Sequence, residues 1–256
     1  EQHAVTSAAG MAVAGLHPVV ALYSTFLNRA FDQLLMDAGL HHEGVTIVLD
    51  RAGITGTDGA SHNGMWDMAM CGIVPGLMLS APRDCQHLVS VLNEAVDIND
   101  RPTVIRYSKD PMPDDIRVVA SHDGLDVLRD GPGDGILLVA HGQLCAPALA
   151  AVDQLDFPVR VVSPRWSLPV CRGLIEEAAE ARAVVSVEDG LVVSGLGSHL
   201  ADALSRRGLW RPIRNLGIPQ RYLGHDSRSA IMAELGLDAP GIADAVSQLV
   251  SQLGGE

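Results

Sequence analysis

Short apolar runs alternate with helix-length runs along the whole chain, and a single break divides the alternation into two series. In the first series the strand-like runs are HPVVALYS (17–24), VTIVLD (45–50), GLMLSAP (76–82) and PTVIRYS (102–108). Before and between them lie an Ala-rich segment (4–15), TFLNRAFDQLLMDAGLHH (25–42), GMWDMAMCGIV (64–74) and RDCQHLVSVLNEAVDIN (83–99). The Ala-rich segment predicts a buried helix, and 17–24 a buried strand. In 25–42, Phe26, Ala30, Leu34 and Ala38 keep helical spacing, with Thr25 placed as a cap. The second series runs ILLVAHG, QLCAPALAAVDQL, VRVVSP, VCRGLIEEAAEAR, AVVSVEDG, GSHLADALSRRG and IRNLGI, followed by helices near 227–237 and 239–253. The break, KDPMPDDIRVVASHDGLDVLRDGPGDG (109–135), is rich in Pro, Asp and Gly and predicts a linker with one edge strand at its end. The pattern predicts two mostly parallel, three-layer α/β domains over 1–115 and 135–256, joined by a linker over 116–134.

Composition agrees. Hydrophobic residues make up 47% of the chain and aromatics only 4%, so the core is built from Val, Leu, Ile, Ala and Met. That suits parallel α/β layers. The formal net charge of −13 comes without a basic stripe, which argues against a nucleic-acid partner. No apolar run approaches the roughly 18 residues of a membrane span, and no signal peptide is read. Cys71, Cys85, Cys145 and Cys171 form no CxxC pair and read as small buried hydrophobes in a reducing, cytoplasmic compartment.

Ligand sites in parallel α/β sheets form at the carboxyl ends of strands. The stretch DRAGITGTDGASHNG (50–64) leaves the strand run 45–50 at such an end. Its glycines allow positive φ and close backbone approach to a ligand. Asp58 and His62, four apart, can face one pocket and handle protons. Arg51 suits a phosphate or carboxylate. The plainer alternative is a surface loop that caps and turns. Upstream, Tyr23 ends a strand while Phe26 and Arg29 share a helix face, a grouping able to cradle a flat heteroaromatic ring. On pattern alone, Phe26 reads as core and Arg29 as a solvated face.

Taken together, EQHAV, YSTFLNRAFDQ and DRAGITGTDGASHNG closely resemble the second half of 1-deoxy-D-xylulose 5-phosphate synthases, thiamine diphosphate enzymes of the transketolase superfamily. The resemblance continues through PRD (82–84), SPRW (163–166), VSVEDG (185–190), GLGS (195–198), LGIP (216–219) and AELGLD (233–238). It implies a transferase of the isoprenoid (non-mevalonate) and thiamine biosynthesis routes, joining pyruvate to glyceraldehyde 3-phosphate. It implies that Glu1 hydrogen-bonds the cofactor's pyrimidine, that Phe26 stacks on it and that Arg29 also contacts the cofactor. Tyr23 and Arg29 would line the substrate side, Arg51 would bind the acceptor phosphate, and Asp58 and His62 would reach the reacting centre. The family's R-Y/F-P-R/K-G segment reads RYSKD here, leaving Lys109 as the phosphate cation. Asp110 beside it either weakens the anion site or points away.

By the same resemblance, the diphosphate and its Mg²⁺ belong to a preceding domain carrying a G-D-G…N motif. The GDG at 133–135 is set aside, because a Pro/Gly linker does not fix octahedral oxygen ligands. No metal ligand is assigned within this chain. The chain is expected to lack the start of its first domain, to leave a sheet edge or face uncovered, and to be inactive alone. Its expected partners are the amino-terminal half of the enzyme and a second copy in a homodimer. His3 reads as a neighbour that positions Glu1 or packs on a helix, and His225 in GHDSRS as part of a turn and N-cap. Glu188 and Asp189 read as a domain or subunit contact. The competing readings are a beta-type subunit of another enzyme of the superfamily and a non-catalytic paralogue.

Overall fold

The apolar runs of the first half form a parallel sheet of β1 (Val19–Tyr23), β2 (Thr46–Asp50), β3 (Met78–Ser80) and β4 (Thr103–Arg106), in the order β1-β2-β4-β3. The structure, a computed structural model, describes residues 1–254. The second sheet has six strands in the order β10-β9-β7-β8-β6-β5. Its members are β5 (Ala120–His122), β6 (Leu125–Arg129), β7 (Ile136–Ala140), β8 (Val159–Pro164), β9 (Ala183–Leu191) and β10 (Ile213–Ile218). Strands β10, β9, β7 and β8 are parallel, as the alternation predicts. Helices α1 (Gln2–Val13), α2 (Asp67–Cys71) and α3 (Cys85–Asp97) belong to the first half. Helices α4 (Cys145–Val152), α5 (Arg172–Glu180), α6 (Leu196–Arg206), α7 (Arg228–Glu234) and α8 (Ala239–Gly254) belong to the second.

Several local expectations are corrected. Residues 120–129, read as linker with one edge strand, form the β5–β6 hairpin, and β6 pairs antiparallel with β8. Leu125, Val127 and Leu128 are buried there, enough to hold the hairpin on the sheet despite its Asp and Gly neighbours. Segment 25–42 is not one helix. A 3₁₀ turn (Ser24–Arg29) is followed by a π-helical stretch (Gln33–Gly39). Thr25 does not cap; its hydroxyl donates to the Ser61 carbonyl, tying the turn to the loop after β2. The apolar stripe survives, with Ala30, Leu34 and Ala38 fully buried. β1 is an edge strand rather than a buried one, with Val19 and Tyr23 exposed. Helix α1 buries only Val5, Ala8, Ala9 and Ala12, leaving Met11 and Val13 in solvent. Of the four cysteines, Cys71 and Cys145 are buried, Cys171 is half-buried and Cys85 is exposed.

The two edges of the first sheet are treated differently. β3 is closed by the second domain: Leu79 N–H donates to the Leu168 carbonyl at 2.9 Å, and the Leu79 carbonyl accepts from Ser167 N–H at 2.7 Å. No strand pairs the outer edge of β1 among the described residues. Charged pairs reinforce the closed side. Arg83 reaches Asp126 of β6 at 2.7 Å, and Arg165 forks onto Glu94 of α3. The cleft described next lies on the β1 and β2 side.

Candidate active-site cleft

β2 ends at Asp50, and the chain turns at once through Arg51, whose φ is +58°. The loop closes on itself where Gly53 N–H donates to the Gly64 carbonyl at 2.9 Å. Inside, the buried Asn63 side-chain oxygen accepts from Thr55 N–H (2.8 Å) and its hydroxyl (3.1 Å), bracing the loop across its width. At Gly53 and Gly56 the bare backbone meets the second domain. A Cβ on Gly53 would sit 2.2 Å from the Asp189 carboxylate, and one on Gly56 would sit 2.5 Å from the Arg228 amide. These two glycines let the loop lie against the second domain, so close approach there is to protein and not, as expected, to a ligand.

The side chains do converge. Tyr23, Arg51, Asp58, His62 and Lys109 line one cleft of about 360 Å³. The Arg51 guanidinium lies 4.2 Å from the centre of the Tyr23 ring, a cation–π contact. Tyr23 stacks on Phe26 at 5.9 Å, and His62 meets Phe26 edge-on at 5.8 Å. Arg29 lies 4.8 Å from the Phe26 ring centre, and its guanidinium approaches the Glu1 carboxylate at 3.8 Å. Glu1, Arg29, Phe26, Tyr23 and Arg51 thus form one continuous surface that runs into the cleft of Asp58, His62 and Lys109. His3, by contrast, is exposed on α1.

The cleft is charged and partly open. Lys109 Nζ donates to Asp58 at 2.7 Å, with the two side chains 36% and 29% exposed. That hydrogen bond, helped by the charges of Lys109, Arg51 and His62, holds the Asp58 carboxyl below its ordinary range. Arg51 pairs with Asp50. Asp110 points away from the cleft, because its carboxylate accepts from Arg228 Nε at 2.6 Å. RYSKD therefore keeps its lysine in the cleft while its aspartate faces the second domain.

Beneath the loop lies a set of buried charges that spacing did not reveal. Asp67, fully buried, accepts from Arg106 Nε at 2.7 Å and from Ser24 Oγ at 3.0 Å. Arg106, at the end of β4, also donates to the Asp189 carbonyl at 2.8 Å. Asp189 takes Ile54 N–H at 2.9 Å and Arg228 at 2.6 Å. Glu188 is buried against the N-terminus of α6, accepting from Leu196 N–H at 2.9 Å and Gly197 N–H at 3.3 Å; burial pushes its carboxyl up to about 7. The expected role of 188–189 as a domain contact agrees with Asp189. An arginine ending a buried parallel strand was the available signal for Arg106. His225, read as a turn residue, joins its ring Nε2 to the Thr57 carbonyl at 2.9 Å, while Ser227 caps α7 as expected.

Comparison with known proteins gives the same architecture. The transketolase pyrimidine-binding domain family matches residues 1–114, and the transketolase C-terminal domain family matches 125–242. The chain is 92% identical, over its whole length, to a 1-deoxy-D-xylulose-5-phosphate synthase of Cutibacterium acnes, of which it covers 41%. It is 52% identical to 1-deoxy-D-xylulose-5-phosphate synthase 2 of Streptomyces avermitilis, of which it covers 40%. The chain thus spans about two fifths of the length of these curated relatives. Among solved structures, a split gene transketolase described as an inactive beta4 tetramer matches with a TM-score of 0.85 and 27% identity, covering 97% of this chain and 81% of that one. A transketolase from Campylobacter jejuni matches in fold, with a TM-score of 0.72 and 16% identity over 90% of this chain and 35% of that one.

Proposed function

Because the chain belongs to the transketolase family, whose pyrimidine-binding and C-terminal domains it carries, we propose that it forms part of a thiamine diphosphate-dependent transferase. The reaction joins pyruvate to glyceraldehyde 3-phosphate, releasing CO₂ and giving 1-deoxy-D-xylulose 5-phosphate. The observation that carries this reading is the convergence of Tyr23, Arg51, Asp58, His62 and Lys109 on one cleft, in a chain 92% identical to part of such a synthase.

The residues fit the aminopyrimidine end of the cofactor. The Glu1 carboxylate caps no amide of α1, and its ion-pair contact is the 3.8 Å approach of Arg29, so it is available to a ring nitrogen. Phe26 offers an aromatic face beside it, covered by an exposed guanidinium that a flat ring can displace. When bound, the cofactor supplies a nucleophilic carbon for the ketone of pyruvate. The chain's part is to bind and orient. Glu1 accepts a hydrogen bond from the pyrimidine and raises the basicity of its amino group. Arg51 and Lys109 hold the acceptor phosphate, and Tyr23 and Arg29 line the path to it. His62 and Asp58 place or move a proton at the acceptor's carbonyl oxygen. Among the described residues no group of three His, Cys, Asp or Glu is arranged as metal ligands. The family resemblance, not that absence, is the ground for assigning diphosphate and Mg²⁺ to the part of the relatives that this chain does not cover, with a homodimer as the working assembly.

The test is turnover. These 256 residues alone, given pyruvate, glyceraldehyde 3-phosphate, thiamine diphosphate and Mg²⁺, are expected to form no product. A longer protein carrying them, with the amino-terminal portion of the relatives, is expected to form it. Product from the isolated chain, or none from the longer one, contradicts the reading.

A further inference from the structure

We propose that Arg228, from the second domain, is a positioning residue that sets the spacing of the two arms gripping the acceptor's phosphate. This rests on the reading of the cleft as a phosphate site. One arm is the loop after β2, carrying Arg51, Asp58 and His62. The other is the segment after β4, carrying Lys109. Arg228 Nη1 donates to the Ile54 carbonyl of the first arm at 2.7 Å, and Nε donates to Asp110 of the second at 2.6 Å. The same Nη1 is anchored by Asp189 at 2.6 Å, and Asp189 in turn accepts from Ile54 N–H at 2.9 Å. The Arg228 side chain is only 13% exposed, and the absence of a side chain at Gly56 is what lets the Arg228 backbone come so close.

Within the first domain the arms meet through Lys109–Asp58 and through Ala52 N–H, which donates to the Tyr107 carbonyl at 2.9 Å; the other contacts made by the second domain touch one arm each. His225 holds Thr57 of the first, and Gln143 holds Ser108 N–H, at 2.8 Å, of the second. Among the described residues of the second domain, Arg228 alone hydrogen-bonds both arms. Its planar fork fixes directions as well as charge, which a lysine does not reproduce. A two-point grip on a phosphate depends on the separation of its cations, so the residue that sets that separation sets acceptor preference.

The experiment uses the longer protein carrying this chain, with Arg228→Lys and Asp110→Asn. Two quantities are read: the preference for glyceraldehyde 3-phosphate over glyceraldehyde in kcat/KM, and amide hydrogen exchange in 52–59 and 108–111. Arg228→Lys is expected to cut the preference by about 10- to 100-fold. That loss should fall on the KM for the phosphorylated acceptor, with the KM for pyruvate within about twofold and exchange faster in both segments. Asp110→Asn, at an exposed carboxylate that folding tolerates, is expected to speed exchange in 108–111 alone and to cost less preference. Unchanged exchange and unchanged preference in both variants overturn the proposal. Faster exchange in both segments, with no phosphate preference even in the unaltered protein, supports the positioning role and overturns the phosphate reading of the cleft instead.

Discussion

In the seam between the two sheets, Asp67 and Arg106 have side chains 0% and 4% exposed; in the cleft a few residues away, Asp58 and Lys109 stand at 29% and 36%. Both are carboxylate–cation pairs at 2.7 Å. Burial makes them different objects. Removing one partner of a buried pair leaves an uncompensated charge and costs about 3–5 kcal/mol, whereas an exposed pair contributes about 0–1 kcal/mol. The seam is therefore closed to ligands, and its charges hold the domains in register. The cleft pair separates at low cost, so an incoming anion can take Lys109 from Asp58. The same side-chain types act as framework on one side of the loop and as exchangeable ligand contacts on the other.

Substitutions should separate the two regions. The largest effect is expected on the open side: Glu1→Ala in the longer protein should lower kcat by at least about 10²-fold, the scale of proton-handling groups. Its thermal midpoint should stay unchanged, since Glu1 makes no contact closer than that 3.8 Å approach to Arg29 among the ion pairs of the described residues. A retained rate would remove the distinction between the regions. On the closed side, Arg106→Met should cost about 3–5 kcal/mol in urea unfolding, because Asp67 keeps Ser24 Oγ and a neighbouring amide but no counter-charge.

Glu188 gives the seam a pH signature. Burial raises its carboxyl from the ordinary 4.5 to about 7, so between those values the folded chain keeps a proton that the unfolded chain has released. Its contribution is therefore present at low pH and lost as pH rises from 4.5 through about 7, by up to about 3 kcal/mol. Glu188→Gln should flatten that fall. His87, lowered to about 4, and the buried His141, lowered well below its ordinary value, act in the opposite sense. They occur in both proteins and cancel in the difference between the two stability–pH curves.

Gly53→Ala should cost about 2 kcal/mol, since φ is +73° and its Cβ would meet the Asp189 carboxylate. The smallest effect belongs to Arg29→Ala, expected to change stability by less than about 0.5 kcal/mol because its ion pair is exposed and long. A loss of several kcal/mol there would mean that the open face is framework after all.

What could be read from the sequence divides along the same line. β2, the loop after it and β4 were legible because strand period, glycine spacing and charge are local signals. Asp58 and His62, four apart, do share a cleft. The partners Lys109 for Asp58 and Arg228 for Asp110 were not legible, because each joins residues 51 and 118 positions apart. The glycines illustrate the point. The positive φ of Gly53 and Gly56 was foreseeable, but the neighbour they make room for, the second domain rather than a ligand, is a tertiary fact. The 3₁₀ and π-helical stretches after Tyr23 were hidden because the apolar stripe is nearly the same in all these helices, and the deciding contact, Thr25 to the Ser61 carbonyl, lies 36 positions away.

The central claim is that the open face at Glu1 receives the pyrimidine of thiamine diphosphate. A structure of the longer protein with the cofactor bound tests it most directly. The account predicts a Glu1 carboxylate oxygen within about 3 Å of a pyrimidine ring nitrogen, with Phe26 against the ring and the seam unmoved. A cofactor bound elsewhere, or a Glu1 carboxylate turned to solvent beyond about 5 Å from that ring, contradicts it.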